Sequence, residues 1–337
     1  MIEVLQLSKH YRVHEREPGF WASLRSLFNR KFRIVKAVDE VSFHIPEGQI
    51  VAFLGPNGAG KTTTMKVLTG LLHPSGGEVK VGGFIPAQHK KQFKKNISLV
   101  MGQKSQLIWD VPAAETFLVN KVIYEIPDEE YEETLGDLVR LLELEDVIRK
   151  PVRQLSLGER MKCELAAALL HRPRIVFLDE PTIGLDVNMQ EVMRRFIQDY
   201  NSKYKATILL TSHYMADVTA LCERVLVIGK GRLLYDGAIS QLIETYAPNK
   251  RIQLQLAERV EPSALQQAVG SLGSVVDYVF PNVELEVPRE QVSELSAKLL
   301  THLSVLDLTI EDPTMESVIA QAFEAKGSGS GKGALSS

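Results

Sequence analysis

Cysteine is scarce, two residues in 337, and Cys163 and Cys222 lie far apart with no paired spacing. That excludes a disulfide framework and the ligand spacings of a zinc site. Both thiols fall in apolar, helix-like stretches, as buried thiols of a cytoplasmic protein do. No uninterrupted apolar stretch reaches about 18 residues, and the start Met1-Ile2-Glu3-Val4 lacks a basic region followed by an apolar run. A chain that neither crosses a membrane nor is secreted is therefore expected. A surplus of charge is missing too: 39 basic against 42 acidic residues leave a net charge of -3, so no nucleic-acid partner is expected. With 45% hydrophobic and 24% charged residues, wholesale disorder is excluded as well.

What is present is enough chain for one large domain and a smaller one. Up to about residue 240, short apolar runs alternate with helix-like segments. Ile50-Val51-Ala52-Phe53-Leu54, Ile175-Val176-Phe177-Leu178 and Thr207-Ile208-Leu209-Leu210 are apolar without polar interruption, the pattern of strands buried on both faces of a mostly parallel sheet. In such a sheet ligands bind beyond the carboxyl ends of the strands, where Gly55, Asp179 and His213 can converge.

Residues 104–151 turn helical, and the acidic, Leu-rich stretch from Glu130 to Arg149 reads as part of a helical subdomain, about 104–172, inserted into the α/β core. After Pro248 the texture changes. Ile252 to Leu256, Val283 to Val287 and Val305 to Ile310 alternate as strands, with amphipathic stretches at Ser263 to Val269 and Arg289 to Leu300. The order strand, helix, strand, strand, helix, strand resembles a ferredoxin-like unit, here 250–325. The Gly/Ser-rich tail, 326–337, is expected to be disordered. Between the first strands, at about 13–35, lies a basic insert. Its aromatics and leucines from Phe20 to Arg33 recur at helical spacing opposite Arg and Lys, the pattern of a helix at a membrane surface, on a partner, or over the domain's own surface.

Gly55-Pro56-Asn57-Gly58-Ala59-Gly60-Lys61-Thr62 matches the phosphate-loop pattern and stands between a buried strand and a helical run that opens with Thr63. Glycines let successive amides turn toward one anion, and the helix adds its positive N-terminal end. Lys61 is expected to reach the β and γ phosphates and the Thr62 hydroxyl to sit on magnesium. Asp179 ends a buried strand, where a magnesium-holding carboxylate belongs. Glu180, next to it, is suited to orient and deprotonate the attacking water. Ser156 and Glu159 have capping-box spacing at the start of a helical stretch that Pro173 stops.

At Leu155-Ser156-Leu157-Gly158-Glu159 the chain resembles the ABC family of ATPases, whose signature, usually Leu-Ser-Gly-Gly-Gln, occupies this position before the magnesium-binding strand. Ser156 and Gly158 match; Leu157 and Glu159 depart. Further landmarks of the resemblance fall in order. Gln103 looks like the glutamine-loop residue near the metal, Asp186 like the dimer-contact loop, His213 like the γ-phosphate sensor, and Tyr11 like the aromatic that stacks on adenine. The resemblance covers 1–243, an α/β P-loop nucleotide-binding domain, and the 250–325 unit resembles the extension of many exporter ATPases. Asp312 to Val318 looks like that extension's closing segment.

The resemblance implies ATP and Mg2+ as ligands and ATP hydrolysis as the activity. It also implies dimerisation with a second copy or a related ATPase subunit, because one chain carries one copy of each motif. Integral membrane permease subunits, docking near Gln103 and the stretch from Trp109 to Phe117, would hold the chain at the cytoplasmic face of a membrane. The rival reading, a soluble ABC ATPase acting on a macromolecular complex, lacks the second nucleotide domain or coiled coil of such proteins. A GTPase lacks its aspartate, since Asn120-Lys121-Val122-Ile123 does not complete the guanine-reading motif. A small-molecule kinase leaves Ser156, Asp186 and His213 unexplained.

Overall fold

The computed structural model describes residues 1–14, 32–102, 104–212, 214–246, 248–313, 317–318 and 321–322. The chain divides into two compact units, Met1–Ile239 and Ser240–Ser337.

In the first unit, β3 (Ile50–Leu54) stands in a six-stranded sheet between β7 (Thr207–Thr211) and β8 (Arg224–Gly229). Beyond β7 come β6 (Ile175–Asp179) and β5 (Ile97–Met101), and beyond β8 comes β9 (Arg232–Ala238). Every pair is parallel except β8 with β9. Phe53, Phe177 and Leu209 are fully buried, as the unbroken apolar runs require of strands covered on both faces. The register aligns Met101 with Asp179 and Asp179 with Thr211, so three strands end at one level.

A second, antiparallel sheet goes beyond the sequence reading, which placed strands on either side of the insert without assigning them to a sheet of their own. Its central strand is β1 (Ile2–His14), flanked by β2 (Phe32–Ile45) and β4 (Gly76–Val81). It shares one apolar core with the parallel sheet, in which Phe43 of β2 meets Phe53 of β3 at 6.1 Å. The expected helical insert is corrected at its end: Phe32 and Arg33 are strand, paired with His14 and Val13. The β-branched Ile34-Val35 that follow favour an extended backbone there. Positions 15–31 of the insert lie outside the described residues.

Helix α1 (Lys61–Leu68) follows β3 and buries Met65 and Leu68. After α2 (Lys91–Asn96) and β5 come the helices of the inserted segment, α3 (Ala113–Tyr124), α4 (Asp128–Leu142) and α5 (Leu157–Leu169). Asp128, Glu129 and Glu130 in the first turn of α4 complement its dipole, and Tyr131, Thr134, Leu138 and Leu142 bury one face at helical spacing. Helices α6 (Val187–Tyr204) and α7 (Met215–Leu221) follow strands β6 and β7.

The second unit opens on α8 (Ile239–Tyr246), which spans the boundary between the units. Then β10 (Asn249–Leu256), α9 (Pro262–Val269), β11 (Ser274–Val279), β12 (Asn282–Pro288), α10 (Val292–His302) and β13 (Val305–Glu311) form an antiparallel sheet in the order β11-β12-β10-β13. Ile252, Leu254, Leu285 and Val287 bury one sheet face against Leu265, Val269, Leu295 and Leu299 of the helices. This is the ferredoxin-like arrangement expected from the alternation. Of the closing segment, Thr314, Met315 and Glu316 lie outside the described residues.

Candidate active site

The phosphate loop leaves β3 in a conformation that only glycine fits at two points. A Cβ on Gly55 would lie 2.2 Å from the carbonyl oxygen of Ile228, and one on Gly60, where φ is +111°, would lie 2.4 Å from that of Ala37. Both obstacles are backbone atoms, which cannot swing away. Gly60 also caps α1 without a side-chain bond, and no acidic residue occupies the first turn, so the helix's leading N–H groups remain available to an anion.

Lys61 is 7% exposed, and its Nζ donates to the carbonyls of Gly55 at 2.5 Å and Pro56 at 3.2 Å. Burial lowers its pKa below the usual lysine value, while the nearby carboxylates of Glu180 and Asp179 act in the opposite sense. A largely buried cation that lines a pocket within this loop is suited to polyvalent anions. The pocket at this place is lined by Ala37, Pro56, Asn57, Gly58, Gly60, Lys61, Thr62, Thr63 and Glu180. Ala37, from β2, was not foreseen; nothing in an alanine's own chemistry announces a pocket wall.

Level strand ends bring the acidic residues to the loop. Thr62 Oγ1 donates to Asp179 Oδ2 at 3.3 Å, and Thr211 Oγ1 donates to Asp179 Oδ1 at 2.7 Å. The same Thr211 hydroxyl accepts from the Glu180 N–H at 3.0 Å. Thr211 therefore sets both acidic residues, and Glu180 adopts φ +55°, an uncommon left-handed conformation for a non-glycine residue. Gly102 N–H donates to the Asp179 carbonyl at 2.9 Å, and a Cβ on Gly102 would come within 2.4 Å of the Glu180 carbonyl. The chain just before Gln103 is thus pressed onto the Asp179-Glu180 backbone. Gln103 and His213 themselves lie outside the described residues.

These donors fit the implied ligands. The loop amides and Lys61 suit the phosphates of ATP, and one hydroxyl with one carboxylate suits Mg2+, which usually keeps waters and binds phosphate oxygens rather than occupying an all-protein cage.

Other expected residues stand apart from this pocket. Tyr11 is paired in β1 with Val35 of β2, under the Lys9 ammonium at 5.4 Å, and does not line the pocket. Ser156 and Glu159 form the full capping box of α5: Ser156 N–H donates to Glu159 Oε2 at 2.8 Å, and Glu159 N–H to Ser156 Oγ at 3.2 Å. The backbone N–H of Ser156 holds the Glu159 carboxyl below its usual pKa despite some burial. Asp186 caps α6 by accepting from Met189 N–H at 2.9 Å. The two helix starts touch, because a Cβ on Gly158 would lie 2.8 Å from Met189 Cε and one on Gly184 3.2 Å from Leu157 Cδ2. Ser156, Gly158 and Asp186 are absent from the pocket lining of their own chain.

A family model described as ABC transporter matches residues 38–183, and another, EvrA-like ABC transporter, C-terminal domain, matches residues 248–311. The ABC transporter ATP-binding protein NatA of Bacillus subtilis (strain 168) is 37% identical over 218 residues, 65% of this chain and 88% of that protein. The chain belongs to the ABC transporter ATP-binding family. This ABC ATPase is also 28% identical over 286 residues to the linearmycin resistance ATP-binding protein LnrL of the same bacterium, across 83% of the chain and 91% of that protein. The Nod factor export ATP-binding protein I of Burkholderia thailandensis is 34% identical over 236 residues, 67% of the chain and 76% of that protein. Among solved structures, an ATP-binding subunit of an ABC transporter superposes with TM-score 0.60 at 24% identity, covering 73% of this chain and 92% of that one. A dimeric ATP-binding cassette in a post-hydrolysis state bound to ADP and Pi gives TM-score 0.58 at 23% identity, covering 71% and 99%. At these identities the structural likeness speaks for the P-loop NTPase fold of ABC cassettes.

Proposed function

We propose that this ABC ATPase binds MgATP between two nucleotide domains, its own (1–243) and that of a second copy or a related subunit, and that the closure and reopening drive an exporter permease in a separate membrane protein. One observation carries the dimer: the phosphate cradle and the capped start of α5 are each fully formed, yet Ser156 and Asp186 do not line the pocket of their own chain. A site completed from the partner gives both features a use. Exposed Val187, next to Asp186, and half-exposed Leu157, next to Ser156, supply apolar surface for that contact.

In this reading Lys61 and the N–H groups of Gly55 and of Asn57 to Thr63 hold the β and γ phosphates, and Tyr11 stacks on the adenine. Thr62, Asp179 and Gln103 hold Mg2+, which when bound neutralises phosphate charge. Glu180 orients the attacking water and takes its proton onto a carboxylate oxygen. A neutral His213 imidazole hydrogen-bonds the γ-phosphate and keeps water and Glu180 in line. Ser156 and Gly158 of the partner's α5 present a hydroxyl and a helix N-terminus to that phosphate.

The membrane partner finds support in α3, where Leu118, Val119, Val122 and Ile123 are exposed close in sequence to exposed Trp109. Among the described residues no helix is long and apolar enough to cross a membrane, and this reading places the permease in a separate membrane protein. The name of the Nod factor export protein supports export as the direction. The 250–325 unit we assign to dimerisation or regulation, and the chain to the cytoplasmic face of a membrane.

The test is purification of the tagged chain carrying Glu180→Gln from detergent-solubilised membranes with ATP present. Loss of turnover, an ATP-bound dimer and a stoichiometric polytopic protein are expected. Retained turnover would remove Glu180 from its role, and recovery of ribosomes or DNA-bound proteins alone would favour the soluble ATPase.

A further inference from the structure

Asp217 lies in α7 with 1% of its surface exposed. A buried carboxylate is costly unless its oxygens are hydrogen-bonded and its charge is paired. Here both conditions are met. Oδ2 accepts from Thr182 Oγ1 at 2.5 Å and from Ser212 Oγ at 2.9 Å, and Oδ1 accepts from Arg194 Nη1 at 2.8 Å.

Each donor belongs to a different arm of the proposed site. Thr182 stands two residues after Glu180, in a turn where Ile183 N–H donates to the Glu180 carbonyl at 3.3 Å and Leu185 N–H to the Thr182 carbonyl at 3.2 Å. Arg194 projects from α6, the helix that Asp186 caps, and a second fork of its guanidinium is held by Glu191 at 2.8 Å. Ser212 follows Thr211, whose hydroxyl sets Asp179 and the Glu180 N–H; the Ser212 hydroxyl also accepts from Tyr214 N–H at 3.0 Å. Strand ends and helix starts that are distant in sequence thus share one anion. Neither Asp217 nor its three donors line the phosphate pocket.

We propose that Asp217 is a positioning residue for ATP hydrolysis: a buried anion that fixes the turn after Glu180, the helix behind Asp186 and the strand end at Ser212 in one arrangement. The proposal rests on the assignment of the ATP site above. The network holds the groups that act on water and meet the partner, while the phosphate cradle is built by a separate loop. Its loss therefore lowers kcat and leaves ATP affinity in place.

Chemistry separates the variants. In Asp217→Asn the amide oxygen can still accept from Arg194 while its NH2 faces two hydroxyls, which rotate to accept; shape survives and charge is lost. In Asp217→Val all three bonds go. Thr182→Val removes only the bond next to the Glu180 turn, at nearly constant volume, and serves if Asp217→Val does not fold.

The experiment measures ATP turnover, ATP affinity and melting temperature on the full chain for these variants and for Glu180→Gln in parallel. A kcat loss of about 100-fold is expected for Asp217→Val and about tenfold for Thr182→Val, with ATP affinity kept within about twofold and most turnover restored in Asp217→Asn. A folded Thr182→Val with unchanged kcat overturns the proposal. So does a parallel fall of kcat, affinity and melting temperature, which marks a merely structural ion pair. Turnover retained by Glu180→Gln would instead refute the site assignment, so the two failures are distinguishable.

Discussion

His171 offers a stability test whose size follows from its surroundings. It sits just past α5, its ring stacked on Tyr124 at 3.8 Å and 7°, with Nε2 3.1 Å from the Ile97 carbonyl at the start of β5. A neutral ring donating Nε2–H satisfies that carbonyl. Burial pushes the pKa down from 6.5 to about 4, only partly opposed by the bond to Ile97. Between these two values the unfolded chain holds a proton that the folded chain lacks. The contribution is therefore present above the unfolded pKa and is lost as pH falls through 6.5 toward the folded value near 4. Going from about pH 7.5 to about pH 5 removes about 2 kcal/mol, approaching about 3 kcal/mol at still lower pH.

Other groups titrate over the same window, so the comparison is with His171→Gln. This variant keeps an N–H for the Ile97 carbonyl and cannot titrate. Urea unfolding followed by circular dichroism across this pH range is the assay, and the wild-type chain is expected to lose about 2 kcal/mol more than the variant. Parallel stability curves would mean that water reaches the ring in the folded state, and the burial argument would fail.

Two further outcomes follow from the same geometry. Gly60→Ala places a methyl 2.4 Å from the Ala37 carbonyl at φ +111°, so ATP affinity, measured by titration calorimetry, is expected to fall about 100-fold or more while the circular dichroism spectrum is kept. Val122→Asp, at a position 75% exposed on α3, is expected to leave ATP affinity and fold unchanged and to cut recovery of a membrane partner; undiminished recovery would direct the docking surface elsewhere.

The parts legible in the sequence were those in which local chemistry and spacing coincide. Unbroken apolar runs marked β3, β6 and β7, because only a doubly covered strand tolerates them. The interval between Ser156 and Glu159 gave a cap that needs no tertiary partner. The extent of β1 and β2 and their separate sheet were missed because exposed polar and charged residues interrupt them and their pairing shifts register at several points. Ala37 lines the pocket through the position of its backbone, which register decides and residue type does not. Thr211 reads as one more β-branched strand residue until the level ends of β6 and β7 bring its hydroxyl between Asp179 and Glu180.

This division has a physical origin that bears on mechanism. Residues that touch a ligand must supply a particular functional group at a particular spacing, so the residues proposed for that role, Lys61, Asp179 and Glu180, can be found one by one. Residues that hold those groups in place act through contacts made only after folding, and an ordinary Thr, Ser, Arg or Asp suffices. Asp217 is such a case: its three donors come from positions 182, 194 and 212, and no short spacing links them. A misplacement of about 1 Å at the reacting atoms can cost about as much rate as the loss of a contact, so the precision of Glu180 depends on a network the sequence does not display. On this argument the resting arrangement of Glu180, the carboxylate proposed as catalytic, is a property of four separate chain segments and the buried Asp217–Arg194 pair.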